Sequence, residues 1–389
     1  MTTHNQFLPG IEVLLKRHKG WLTGRRLGLV SHPAAVTRDG MSSAEHLWRT
    51  SGLRLKALFG PEHGFFGTAL AGEPLANQRH PEWRLPVFSL YGRTRKPTAA
   101  MFRSLDVIIV DLQDLAARPY TFVSTLRYVL ETAAELKKTV VIADRPVPLA
   151  RVIDGPLLDS SFESFVGFVR APMLYGMTPG EMALWIRRDL GLDLDLRVAR
   201  MQGYSRQPGR EPGWPPWIPP SPGIRSWETG LCYLATIFGE ALPAIHFGRN
   251  SNLVFQVVAA PWMKNRPVCE FLNDLCLPGA AFYPHPYQTT DSKKIFDGVR
   301  IVAVNPDVFR PVLTGVSILE CLQALYGSRK VWGHPNTRPD FFDKLYGTDT
   351  VREALLAGET AACISRRWAA GLRAFNRTRQ PCLIYPSSW

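Results

Sequence analysis

The chain has 389 residues, 46% of them hydrophobic and 20% charged, enough apolar material for two packed cores and incompatible with a disordered polypeptide. No stretch approaches the roughly 18 to 20 consecutive apolar residues of a membrane span, and the opening MTTHNQFLPGIEVLLKRHKG has no apolar signal core or small-residue cleavage site, so a cytoplasmic location is expected. The formal charge of +13 suits an anionic partner, but the doublets Arg25-Arg26, Lys137-Lys138, Arg187-Arg188, Lys293-Lys294 and Arg366-Arg367 are scattered, so solvated faces are expected, with no nucleic-acid or membrane partner.

In chain order, short apolar runs alternate with helical patterns through the first half, the signature of βαβ units and a mainly parallel sheet. Strands are predicted at Leu27–Ser31, Leu55–Phe59, Val87–Leu90, Val107–Asp111 and Val140–Ala143. Ser42 and Glu45 have the spacing of a capping box ahead of one helix. Thr121 reads as the N-cap of another, which runs to about Lys138 with an apolar stripe of Phe122, Leu126, Val129, Leu130, Ala133 and Leu136. Thr178-Pro179-Gly180-Glu181 predicts a third helix start, with Thr178 at the cap and Glu181 three residues later.

The segment QPGREPGWPPWIPPSP, residues 207–222, holds neither helix nor inner strand. It places the domain junction, giving a mainly parallel α/β domain over residues 1–210, which the resemblance below makes Rossmann-like and catalytic, and an α+β domain over residues 211–389, which it has close the cleft. Its tryptophans are expected to lie against the surface and line the cleft. All six cysteines (Cys232, Cys269, Cys276, Cys321, Cys363, Cys382) fall in the second half without zinc-ligand spacing, which predicts reduced, mostly buried thiols.

In an open α/β sheet, ligands meet the loops leaving the carboxyl ends of the strands. Three such loops carry ionisable groups: Gly60–Gly67, Asp111–Thr121 and Asp144-Arg145-Pro146. The first has neither the lysine of a phosphate-binding loop nor G-x-G-x-x-G spacing, which argues against a nucleotide. It holds an acid and an imidazole among glycines and phenylalanines, surroundings that favour a protonated Glu62 able to act as a general acid. The competing reading has Glu62 capping the next helix and His63 hydrogen-bonding the backbone.

Asp111 and Asp114 flank Gln113 at a strand end, with Arg118 following. A buried Asp111–Arg118 pair that orients the loop and a direct catalytic role are equally open. Asp144 and Arg145 read either as a strand-end pair or as a site where Arg145 meets an anionic substrate. Glu181 has a structural task in the capping box. No metal is expected, since no H-E-x-x-H or dense ligand triad occurs. No G-x-S-x-G turn is present, which excludes serine acyl hydrolysis of that kind. Acid–base work by carboxylates remains, with glycosidic hydrolysis as the leading case and Phe65, Tyr91, Tyr120, Trp214 and Trp217 as candidates for stacking on sugar faces.

The motifs GPEHGFFG (60–67), SLYG (89–92), DLQDLAARPYT (111–121), DRP (144–146), GPLL (155–158), SFVG (164–167), GMTPGEMA (176–183), PSP (220–222) and APW (260–262) occur in one order. Over about residues 10 to 262 the chain resembles the exo-β-N-acetylmuramidase family, NamZ-like glycoside hydrolases once grouped as a domain of unknown function. That resemblance implies a Rossmann-like domain, a smaller C-terminal domain and a cleft between them. It also implies removal of N-acetylmuramic acid from the ends of peptidoglycan-derived glycans or muropeptides, in cell-wall recycling. By motif, Glu62 is the implied catalytic acid, with His63 and Asp114 beside it. Gln113, Arg118, Tyr120, Asp144 and Arg145 are implied site lining; Asp111 and Arg249 join the expected substrate-binding set. No cofactor is implied.

The chain departs from the family pattern at Val147, Tyr175 and Gly223, where the family has Asn, His and Asn. At His246-Phe247 the family has Ser-Glu, while Arg249 is kept. Two readings follow: altered amino-sugar specificity with Glu62 still active, or a catalytically inactive protein that binds cell-wall fragments.

Overall fold

The computed structural model describes residues 6–206, 213–290 and 295–386. Its strands are β1 (Arg26–Ser31), β2 (Arg54–Gly60), β3 (Gln78–Arg79), β4 (Pro86–Ser89), β5 (Val107–Asp111), β6 (Thr139–Ala143), β7 (Asp154–Leu157), β8 (Pro172–Leu174), β9 (Leu196–Ala199), β10 (Val257–Val258), β11 (Ala280–Gln288) and β12 (Ile295–Ala303). The main helices of the first half are α1 (Gly10–Arg17), α2 (Ser43–Arg49), α3 (Ala99–Phe102), α4 (Phe122–Glu135) and α5 (Pro179–Asp189). The second half has α6 (Trp227–Thr236), α7 (Asn265–Asp274), α8 (Pro311–Tyr326), α9 (Ser328–Trp332), α10 (Pro339–Tyr346), α11 (Thr350–Leu356) and α12 (Ala361–Arg379).

Seven strands form one sheet in the order β3-β4-β2-β1-β5-β6-β9. Only β3 runs antiparallel, against β4; the other six are parallel. Numbered by themselves, those six follow the order 3-2-1-4-5-6, a doubly wound Rossmann-like sheet whose order reverses between β1 and β5. The central strands β1, β5 and β6 are buried on both faces, as parallel strands between helices must be. Along β5, Val107 and Ile109 join Ile11, Leu14 and Leu47 on the face covered by α1 and α2, while Ile108 and Val110 join Leu126, Val129 and Ile186 on the face covered by α4 and α5.

All five predicted strands are present, within a residue at each end. The strand at Leu196–Ala199 was not foreseen. In Leu196-Arg197-Val198-Ala199 a cation interrupts the apolar run, and at the sheet edge Arg197 turns outward to pair with Asp195. The helix at Thr121 ends at Glu135 rather than near Lys138, because Lys137 takes a left-handed φ of 51°. Thr178 and Glu181 form the reciprocal capping box expected. Ser42 caps the Glu45 amide, but Glu45 turns to Arg49 at 2.6 Å.

The second half is the expected α+β unit: a three-stranded antiparallel sheet, β10-β12-β11, packed with helices. Its core is continuous with the α4/α5 face of the large sheet. Among the described residues no helix is long and apolar enough to cross a membrane. The cysteines are all unpaired, four of them buried.

Candidate active site

Strand-end loops from β1, β2, β4, β5 and β6 converge at the carboxyl edge of the sheet, where the strand order reverses. The β2 loop turns sharply. A Cβ on Gly60 would stand 2.1 Å from the Phe65 amide nitrogen, and Gly64 has φ +80°, so both positions require glycine. The turn presents Glu62, which is partly buried. Its Oε1 accepts from the Gly72 amide at 2.9 Å and its Oε2 from the Thr121 hydroxyl at 2.6 Å. Thr121 stands at the N-cap position of α4 but makes no side-chain cap bond; its hydroxyl serves Glu62 instead. A hydroxyl donates to a carboxylate and accepts from a carboxylic acid, so this contact fits either form of Glu62.

His63 adopts a left-handed φ of 69°, and its buried ring is tied to the backbone: Nδ1 lies 2.9 Å from the Ala69 carbonyl. Since a carbonyl only accepts, Nδ1 carries the proton, and the imidazole clasps the loop that follows Glu62.

Asp114 is buried. Its Oδ1 accepts from the Ala116 amide at 2.7 Å and from the Tyr175 hydroxyl at 2.9 Å. Burial pushes its carboxyl up to about 6, with the Tyr175 hydroxyl and the Ala116 and Leu115 amides pulling the other way. The Tyr120 hydroxyl lies within the field of both carboxylates; burial first, then Asp114 and Glu62, raise it well above the ordinary phenol range while Ser221 opposes them. Tyr91, leaving β4, is raised by burial and by the Glu62 carboxylate and lowered by Arg95. Tyr233 of α6 packs edge-on against Tyr120, centroids 5.8 Å apart, so a helix of the second half meets the β5 loop.

The other expected site residues all have partners within the fold. Asp111 pairs with Arg145, not Arg118, both nearly inaccessible. Arg145 Nη2 donates to Asp111 Oδ2 at 3.0 Å and to the Val36 carbonyl at 2.9 Å, while Ser43 donates to the same carboxylate. Asp144 therefore has no side-chain ion pair with Arg145. It accepts from the Gly180 amide and from the hydroxyls of Thr178 and Tyr385, each at 2.7 Å, and burial, then Glu181, raise it to about 7. Arg118 donates to the carbonyls of Pro156 at 3.1 Å, Ala171 at 2.7 Å and Tyr346 at 2.5 Å, tying β7 and α10 to the β5 loop. Burial lowers it to about 9. Arg249 pairs with Glu240 at 2.5 Å and lies over the Phe247 ring.

Gln113 donates through its side chain to the Pro146 carbonyl at 2.8 Å. With Arg145 and Pro146 it borders a small recess roofed by Trp214, Pro216 and Trp217; Glu62 is not among its walls. The linker tryptophans thus roof this recess, which does not include Glu62. Trp214 is buried against Phe7, Tyr204 and Trp227, and the Trp217 indole donates to the Ile224 carbonyl at 3.2 Å.

Sequence reasoning missed His32, directly after β1. Its Nε2 accepts from the Gln113 amide at 2.9 Å, and burial followed by the nearby Arg145 charge lowers it to about 3, so it is a neutral strut for the β5 loop. Its position one residue past a buried strand was the available signal. Tyr175 entered only as a departure from a pattern, yet its phenol reaches Asp114.

A doubly wound parallel sheet whose β2 and β5 loops carry Glu62 and Asp114 at its carboxyl edge, packed against an α+β half, places the chain in the Rossmann-like α/β class. Comparison with known proteins adds the family. The model for the N-terminal part of exo-β-N-acetylmuramidase NamZ matches residues 27–228, and the model for its C-terminal part matches residues 231–385. The peptidoglycan β-N-acetylmuramidase NamZ of Bacillus subtilis is 34% identical over 380 residues, 97% of this chain and 91% of that protein. A crystal structure from Bacteroides fragilis, of a protein in a family named for its unknown function, superposes with a TM-score of 0.91 at 30% identity, covering 98% of this chain and 99% of that one. A second protein of that family from the same organism gives 0.76 at 25% identity, with the same coverage. The chain belongs to the exo-β-N-acetylmuramidase NamZ family, a family of glycosidases.

Proposed function

We propose that this protein removes a terminal N-acetylmuramic acid, or a closely related amino sugar, from peptidoglycan-derived glycans, with Glu62 as general acid. The observation that carries the reading is the placement of Glu62: at the end of β2, partly buried, both oxygens held by the Thr121 hydroxyl and the Gly72 amide. Glu62 gives its proton to the glycosidic oxygen as the bond to the anomeric carbon breaks, and the leaving sugar departs as an alcohol. The positive charge on the anomeric carbon is met by Asp114 or by the sugar's own acetamido oxygen, and water completes the hydrolysis. Asp114 favours this role through its shared neighbour: Tyr120 interacts with both carboxylates. Gln113, Asp111, Arg118, Asp144, Arg145 and His63 act by holding these loops in place.

The division at residues 210/211, which lies outside the described residues, and the closing of the cleft by the C-terminal part belong to the same proposal; Tyr233 against Tyr120 supports the closing. A cytoplasmic location and a role in cell-wall recycling are part of the proposal too, and the relative's activity on peptidoglycan supports the second of these.

A second reading, binding without turnover, is favoured by Phe247. Where the family pattern has an acid, this ring packs on Phe255 at 5.2 Å. Release of 4-methylumbelliferone from its β-N-acetylmuramide by the wild-type protein, lost in a folded Glu62→Gln variant, supports hydrolysis. Saturable muropeptide binding by a folded wild type that cleaves none of these glycosides supports the second reading.

A further inference from the structure

The arginines expected in the site have their donors committed within the fold. Arg145 is spent on Asp111, Arg118 on three carbonyls and Arg249 on Glu240. Arg127 of α4 pairs with Glu131 at 2.8 Å and donates to the Phe168 carbonyl. Arg95 differs. It is exposed, and none of the described carboxylates forms an ion pair with it. Its Cζ lies 4.5 Å from the centre of the Phe165 ring and 5.1 Å from that of Tyr91, and those two rings stand 5.6 Å apart. Tyr91 in turn interacts with both Glu62 and Arg95. The guanidinium is thus stacked on aromatic faces next to Tyr91, whose hydroxyl contacts both it and Glu62, and the N–H donors not turned to that hydroxyl remain for a ligand.

Stacking of this kind fixes a planar fork without neutralising it. A fork held so matches a carboxylate, to which it gives two parallel charge-assisted hydrogen bonds. A sugar seated with its glycosidic oxygen at Glu62 and carrying a carboxylate on a short ether arm presents that group within the same mouth.

We propose that Arg95 is a specificity-determining residue that receives the carboxylate of an acidic amino sugar bound at Glu62, an inference that deepens the muramic-acid reading above and rests on it. Lysine at this place would keep the charge but lose both the stack and the fork.

The test is calorimetric titration of N-acetylmuramic acid and N-acetylglucosamine into wild-type protein and into the R95M and R95K variants, with thermal melting as the fold control. Arg95 is exposed, so both variants are expected to melt with the wild type. The expected result is a wild-type preference for the acidic sugar of about tenfold or more, abolished in R95M by loss of affinity for that sugar and partly restored in R95K. A wild type without preference, or an R95M variant that keeps it, overturns the proposal. Equal weakening of both sugars also overturns it, because Arg95 would then act only by propping Tyr91. Arg95-dependent preference in a wild type that hydrolyses no aryl glycoside supports the recognition role while removing hydrolysis, so the two readings fail separately.

Discussion

Replacing Thr121 with valine keeps the shape of a buried side chain and removes one atom's worth of chemistry: the donor 2.6 Å from Glu62 Oε2. A hydrogen bond to an ionisable partner contributes about 1.5–3 kcal/mol. If that contact holds Glu62 in line with the leaving oxygen, kcat for 4-methylumbelliferyl β-N-acetylmuramide falls roughly 10- to 150-fold. The fold should tolerate the change, since Thr121 makes no side-chain cap bond to α4 and forfeits none of the ~1 kcal/mol that a working cap provides. Thr121→Ser restores the hydroxyl and most of the rate. The assay is steady-state fluorophore release by the three proteins, with melting curves alongside. A folded T121V variant whose kcat stays within about twofold of wild type, less than any ordinary hydrogen bond would cost, would refute the positioning role.

Asp111→Asn leaves Arg145 buried without its countercharge and is expected to cost about 3–5 kcal/mol of stability; a change below about 1 kcal/mol in chemical denaturation, the range of a surface pair, would contradict the structural role given to this ion pair. Tyr175→Phe removes the hydroxyl that lowers Asp114, so the Asp114 carboxyl, raised to about 6 in the wild type, should titrate higher still when followed by carbon NMR. A lower midpoint would run against the geometry. The pH dependence of stability has a sign that can be worked out. Burial raises Asp144 to about 7 and Asp114 to about 6, so across this range the folded chain binds protons that the unfolded chain has released. Stability then falls as pH rises toward and through 7 and is recovered on acidification. Buried His32, lowered to about 3, works in the opposite direction, but only below its unfolded value near 6.5. Denaturant midpoints between pH 6.5 and 7.5 should therefore decline, and a rise would count against these burial assignments.

The doubly wound half was legible because its strands are unbroken apolar runs such as Val107-Ile108-Ile109-Val110, and a strand buried on both faces can hardly read otherwise. The loops at the strand ends were legible for the same reason, since each ionisable residue there directly follows such a run. The partners were not. Whether Asp111 meets Arg118 or Arg145 depends on which strands are neighbours, and β5 lies beside β6 only through the strand order. Thr121 satisfied a local rule for helix caps, yet Glu62, 59 residues away, took its hydroxyl. Tyr233 and Phe165 come to the cleft from α6 and from the stretch before β8. Periodicity carries no signal for such encounters.

The leaving-group dependence of the Glu62→Ala variant tests the general-acid assignment most directly. A positioned acid contributes about 10²–10⁴-fold when the departing oxygen needs a proton and almost nothing when it does not. The variant should therefore lose rate steeply on a disaccharide or methylumbelliferyl glycoside of N-acetylmuramic acid and retain it on the dinitrophenyl glycoside, whose anion leaves unaided. An equal loss on all three, in a folded protein, would mean that Glu62 does not donate the proton.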